Sequence, residues 1–114
     1  MAKKIQDRSI CIIGAGPSGI TAAKHLLQVG VTNFVVYDRN DQVGGNWIYS
    51  PDEGHSSVYE TAHIISSKKF SQYHDFSMPE AYPDYPSHKL LLKYFQNYAD
   101  HFGVTQYVQF IQTE

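Results

Sequence analysis

Ile10-Cys11-Ile12-Ile13-Gly14-Ala15-Gly16-Pro17-Ser18-Gly19, followed by Phe34-Val35-Val36-Tyr37-Asp38, decides the fold. The first run is apolar and then breaks into G-x-G-x-x-G. Between the two runs lies an apolar-periodic stretch that stops at Gly30. The order is strand, glycine turn, helix, strand, acid, which is the sequence form of a parallel β-α-β unit. It predicts a strand over 9–14, near-continuously apolar as befits a strand buried on both faces. A helix over about 17–29 follows, with Ile20, Ala23, Leu26 and Leu27 on one face and Gly30 as its stop. A second strand covers 33–38, and the connection is right-handed.

Each part of this unit suits the ADP half of a dinucleotide. Gly14 permits the sharp turn out of the strand, Gly16 lets backbone approach a pyrophosphate, and Gly19 lets helix pack against strand. Ala15 and Ser18 complete the fingerprint. Pro17 sits at the helix start, where its missing N–H costs little. The first helical N–H groups lack intrahelical partners and carry the positive end of the dipole, so an anion satisfies both. Asp38 stands at the spacing of a carboxylate that accepts from ribose hydroxyls. The same charge disfavours a 2′-phosphate, although Arg39 beside it weakens that exclusion. A glycine turn that merely packs a helix on a sheet leaves the placement of Asp38 unexplained.

Outward from this unit, the 114 residues amount to one domain with a modest core. A net charge of −2, with no block of like charge, excludes the electrostatic footprint of a nucleic-acid or anionic-membrane binder. The pairs Lys3-Lys4 and Lys68-Lys69 read as solvated. The longest apolar runs are strand-sized, so no signal peptide or membrane span is expected. The single cysteine, Cys11, is expected to be a small buried hydrophobe. It supports no disulfide framework and fits a reducing cytoplasm. Six histidines are scattered without a zinc-ligand pattern, so no metal site is expected. Ser66 and Ser67 have no base at a recognisable spacing.

Asp41-Gln42-Val43-Gly44-Gly45-Asn46-Trp47 comes next. The paired glycines allow a second close backbone approach, and Trp47 is either a packed core aromatic or a wall beside a flat ligand. Residues 50–86 are irregular and rich in proline, with a short extended piece expected over 58–66. Tyr59, Phe70, Tyr73, Phe76, Tyr82 and Tyr85 argue that this long connection is ordered. Asp75 is expected to cap a turn ahead of Phe76, and Lys68 to be solvated rather than to hold a phosphate. His63 and His74 lie in the half that faces the cofactor on this reading. Ser87 then N-caps a helix over roughly 88–102, whose face carries Leu91, Tyr94, Phe95, Tyr98 and Phe102. Residues 106–112 read as a third, parallel strand.

With these residues in hand, the chain resembles the N-terminal part of flavin-containing monooxygenases, within the class B flavoprotein monooxygenases. The resemblance covers residues 8–113. It rests on Gly14–Gly19, Asp38, Gly44-Gly45-Asn46-Trp47, Ser57-Val58-Tyr59, Ser66-Ser67-Lys68, Asp75-Phe76-Ser77-Met78-Pro79, Tyr82-Pro83 and Tyr94 through Phe102. It implies an α/β fold, a Rossmann-type FAD/NAD(P)-binding three-layer fold of which residues 1–114 supply only the first β-α-β-α-β portion. It implies FAD on Gly14, Ala15, Gly16, Pro17, Ser18, Gly19 and Asp38, with Gly45, Asn46 and Trp47 toward the flavin. In the family NADPH reduces the flavin, and O₂ then gives a C4a-hydroperoxide that oxygenates an amine nitrogen or sulfide.

The chain departs from the family in three ways. Asp38 replaces the usual Glu, and Ile65 stands where the family has an active-site Asn. The NADPH fingerprint and the signature F-x-G-x-x-x-H-x-x-x-(Y/W) are not reached. The chain is therefore expected to be a fragment without turnover of its own, completed by another chain or an oligomer. A Baeyer–Villiger monooxygenase, a two-dinucleotide-domain flavin reductase and a non-catalytic FAD-binding module are the rival readings.

Overall fold

Strand β1 (Ile10–Ile13) leads through helix α1 (Pro17–Gln28) into β2 (Phe34–Asp38), in the order expected. The computed structural model describes residues 8–51 and 57–111. Lys3, Lys4, Asp52, Gly54, His55 and the last residue of the expected third strand lie outside the described residues. Beyond β2 come a short 3-10 turn (Gly45–Trp47), a one-turn helix α2 (Lys68–Ser71), helix α3 (His88–His101) and strand β3 (Val108–Phe110). The three strands form one parallel sheet in the order β1-β2-β3, with Ile12 beside Val36 and Asp38 beside Phe110.

Several expected boundaries contract. β3 begins at Val108 because a 3-10 turn takes Thr105–Tyr107. The extended piece over 58–66 reduces to a single antiparallel bridge between His63 and Ser87. Ser87 is the N-cap of α3, but its side chain makes no capping hydrogen bond. Both long helices end the same way. After α1, Gly30 N–H donates to Leu27 O and Val31 N–H to Leu26 O; after α3, Gly103 N–H donates to Asp100 O and Val104 N–H to Ala99 O. This pairing closes the last carbonyls, and the apolar residue behind each glycine, Val31 or Val104, is driven fully into the core.

α1 and α3 share one core cluster with β2: Ile20 and Ala23 from α1, Phe34 and Val36 from β2, Tyr98 and Ala99 from α3. The described residues therefore build the sheet and one helical layer of the α/β arrangement. The opposite sheet face carries Cys11 and Ile13, the latter 81% exposed. Cys11 is thus not buried. Alternation along β1 turns Ile10 and Ile12 toward the helices and Cys11 away from them, and no described element covers that side.

In the described part of the long connection, Tyr73, Phe76 and Tyr82 pack inward, whereas Tyr59, Phe70 and Tyr85 are exposed. Met78, Leu91 and Tyr94 form a second cluster against which Trp47, Tyr73, Phe76, Tyr82 and Phe95 pack. Lys68 is half-buried and held by the protein: its Nζ donates to the carbonyls of Glu80 and Tyr82.

Candidate functional site

The C-terminal end of β1 turns at Gly14, whose N–H donates to Tyr37 O at 2.7 Å and extends the ladder by one step. The chain then enters α1 with Pro17 as its first helical residue. Gly19 has no alternative here, because a Cβ on it would lie 1.8 Å from Gly14 O. The second glycine pair is brought against the first. A Cβ on Gly45 would lie 2.8 Å from Gly16 Cα, and one on Gly16 would lie 3.4 Å from Gly45 Cα. Ala15 O accepts from Gly44 N–H at 3.0 Å and fixes this backbone-on-backbone contact.

Two adjoining grooves open above it. One, of about 390 Å³, is walled by Gly14, Gly16, Pro17, Ser18 and Gly19 on one side and by Gly45, Asn46 and Trp47 on the other. The second, of about 300 Å³, carries Tyr37, Asp38, Arg39 and Asn40. Ile13, Gly14, Gly45 and Asn46 line both, so the helix end and the acid face one continuous cleft. Among the described residues, the N–H groups of Gly16, Ser18 and Gly19 have no protein acceptor, since the first bond of α1 is Ile20 N–H to Gly16 O.

Asp38 is 8% exposed and does more than face the cleft. Its Oδ2 accepts from Ala15 N–H at 2.7 Å and its Oδ1 from Asn40 N–H at 2.7 Å. Each oxygen keeps a further lone pair. Ala15 is fully buried beneath the turn and lines neither groove; it contributes through its backbone, the N–H to Asp38 and the carbonyl that holds Gly44. Trp47 is half-buried: it packs on Phe95, ring centroids 6.3 Å apart, and borders the larger groove.

The sequence reading missed one constellation. Lys24 on α1 is only 2% exposed, and its ammonium pairs with Asp75 and sits 5.1 Å from the centre of the Phe102 ring. Asp75 therefore serves this ion pair, and the lysine's hydrogen bond holds its carboxyl below the ordinary 3.8. The signal was a lysine one turn after Ile20 on the apolar face of α1. Nearby, the Tyr73 hydroxyl donates to Pro17 O at 2.9 Å. Burial raises the phenols of Tyr94 and Tyr98 to about 12.

The described histidines do not converge. His63 bonds Tyr85 O, His74 is exposed, and His88 is buried with Nε2 on Glu60 O at 2.7 Å. Among the described residues no group of three or more metal-ligating side chains comes together. No described helix is long and apolar enough to cross a membrane. Ile65 is 99% exposed and Phe70 84% exposed, and neither lines the two grooves.

Comparison with known proteins points the same way. A family model described as "Flavin-binding monooxygenase-like" matches residues 7–114. Flavin-containing monooxygenase 5 of Rattus norvegicus is 37% identical over 99% of this chain and 21% of its own length. Flavin-containing monooxygenase 1 of Homo sapiens is 35% identical over 90% of this chain and 20% of its own length. The chain thus spans about a fifth of the curated relatives it matches. The structure of S-allyl-L-cysteine S-oxygenase from Allium sativum superposes with a TM-score of 0.80 at 26% identity, over 90% of this chain and 27% of that one. An open crystal structure of cyclohexanone monooxygenase shares the fold, with a TM-score of 0.74 at 23% identity over 90% of this chain and 19% of that one.

Proposed function

The chain belongs to the flavin-binding monooxygenase-like family, and from that premise we propose that residues 1–114 form the N-terminal portion of an FAD-binding domain in an NADPH- and O₂-dependent monooxygenase. The observation that carries the reading is the cradle in which Gly16 meets Gly45 backbone to backbone, beside helix-end amides with no acceptor among the described residues and within one cleft of Asp38.

On this reading the diphosphate of FAD lies on the amides of Gly16, Ser18 and Gly19, where the helix dipole favours negative charge. The remaining lone pairs of Asp38 accept from the ribose hydroxyls, and Arg39 and Asn40 border the adenosine. Asn46 and Trp47 lead toward the flavin, with Trp47 excluding water from one side. When bound, the flavin supplies the oxygenation chemistry, with NADPH as reductant, on a soft nucleophile such as an amine nitrogen or a sulfide. Likeness to an S-oxygenase supports the sulfide class. A cytoplasmic setting suits an exposed free thiol at Cys11.

The test is a fluorescence titration of the purified chain. FAD is expected to be quenched saturably at one equivalent, and FMN, which lacks the adenylate, to bind far more weakly. Equal binding of FMN, or no binding of either, overturns the reading. Turnover is tested separately, with NADPH, air and a thioether: sulfoxide is expected from the family's complete arrangement and not from these residues alone.

A further inference from the structure

Two side-chain hydroxyls converge on one carbonyl oxygen at the start of α1. Thr21 Oγ1 donates to Pro17 O at 2.7 Å, and Tyr73 Oη donates to the same oxygen at 2.9 Å. Pro17 C=O and Ser18 N–H are two ends of a single conjugated peptide unit. Hydrogen bonds that draw charge to the oxygen leave the N–H more positive and a stronger donor. That N–H has no protein acceptor among the described residues, and Ser18 lines the larger groove.

The Tyr73 hydroxyl is held where it is. Its ring stacks on Tyr94 and lies 4.4 Å from Tyr98, centroid to centroid. Its backbone N–H donates to Tyr94 Oη, whose hydroxyl in turn donates to Phe76 O. Two residues on, Asp75 is tied to α1 by Lys24. Burial raises the Tyr73 phenol, so it remains a proton donor through the neutral range. A residue 56 positions away in sequence thus reaches the first turn of the helix from a braced platform.

We propose that Tyr73 and Thr21 are positioning residues that polarise the Ser18 amide toward an anion in the larger groove, the diphosphate of an adenine dinucleotide. The proposal deepens the FAD reading and rests on it for the identity of the anion. It assigns a purpose to an aromatic segment that otherwise reads as packing alone. It also separates two contributions to the groove: the glycines make room for the phosphates, and the two hydroxyls set the strength of one donor.

The experiment uses Tyr73→Phe and Thr21→Val, each of which removes a hydroxyl and keeps the shape. The chain is titrated calorimetrically with 5′-ADP and with adenosine, and the Ser18 amide proton is followed by ¹⁵N-resolved NMR. Each variant is expected to move the Ser18 proton upfield and to weaken ADP roughly two- to fourfold, the size of a 10–30% change in a charge-assisted bond. Adenosine, which carries no anion, is expected to bind unchanged. An unmoved Ser18 resonance overturns the proposal. So does a loss shared equally by ADP and adenosine, which would mark general damage, or ADP affinity unchanged in both variants. A wild-type chain that binds neither ligand overturns the FAD reading and the anion half of this proposal. The amide shift then still reports whether the hydroxyls polarise the peptide.

Discussion

Lys24 and Asp75, 51 positions apart, form an ion pair that ties α1 to the turn after α2. The ammonium is buried among apolar groups, with the Phe102 ring as its other neighbour. Removing the carboxylate strands that charge, whereas removing the ammonium leaves an acid with access to water. Asp75→Ala is therefore expected to lower the thermal midpoint markedly, and Lys24→Met to lower it little. Equal effects in calorimetric melts would contradict the asymmetry.

The glycines rank by the space each has. A Cβ at Gly19 meets backbone at 1.8 Å, at Gly45 backbone at 2.8 Å, and at Gly16 backbone at 3.4 Å. Gly45 adds a left-handed φ of 59°. Damage from alanine is expected to fall in the order Gly19, Gly45, Gly16, with Gly19→Ala costing about 3 kcal/mol or more through forced backbone shifts. Urea unfolding gives the order, and FAD titration is expected to follow it.

Asp38 is expected to matter for stability before any ligand is added. Asp38→Ala orphans the buried Ala15 N–H, at a cost of about 1–3 kcal/mol. Asp38→Asn keeps one acceptor oxygen and is expected to retain more stability than alanine while losing FAD affinity. Urea midpoints of the ligand-free chain separate the two effects.

Ile65, 99% exposed, makes no contribution to packing. Ile65→Asn, which restores the residue type of the family pattern, is expected to change stability by less than about 0.5 kcal/mol. Thermal melts of the variant and the original chain check this, and a large drop in midpoint would show that the side chain packs.

The pH dependence has two sides. Asp75 is depressed by Lys24, so its stabilisation is complete above its unfolded value near 3.8 and is lost as pH falls through the lower folded value. Tyr94 and Tyr98 are raised from 10.0 to about 12 by burial. Their contribution is present below 10 and is lost as pH rises toward 12, because the unfolded chain releases those protons first. Melting temperatures are expected to form a plateau that falls at both ends, and Tyr94→Phe is expected to soften the alkaline limb.

The β-α-β unit was legible because its determinants are local. Glycine spacing, strand-length apolar runs and a helical stripe each act within one turn or one strand, and together they place Gly14–Gly19 and Asp38 in one cleft. The aromatic stripe of α3 was legible for the same reason. What covers each sheet face was not, since alternation along β1 says which residues share a side and not which side the helices take; Cys11 is exposed on that account. Nor did local pattern reveal that Asp38 braces Ala15, that Lys68 holds two carbonyls, or that Lys24 and Tyr73 meet partners more than fifty residues away. Those contacts come from chain segments that only folding brings together, and a buried charge or hydroxyl takes whichever partner the packing delivers.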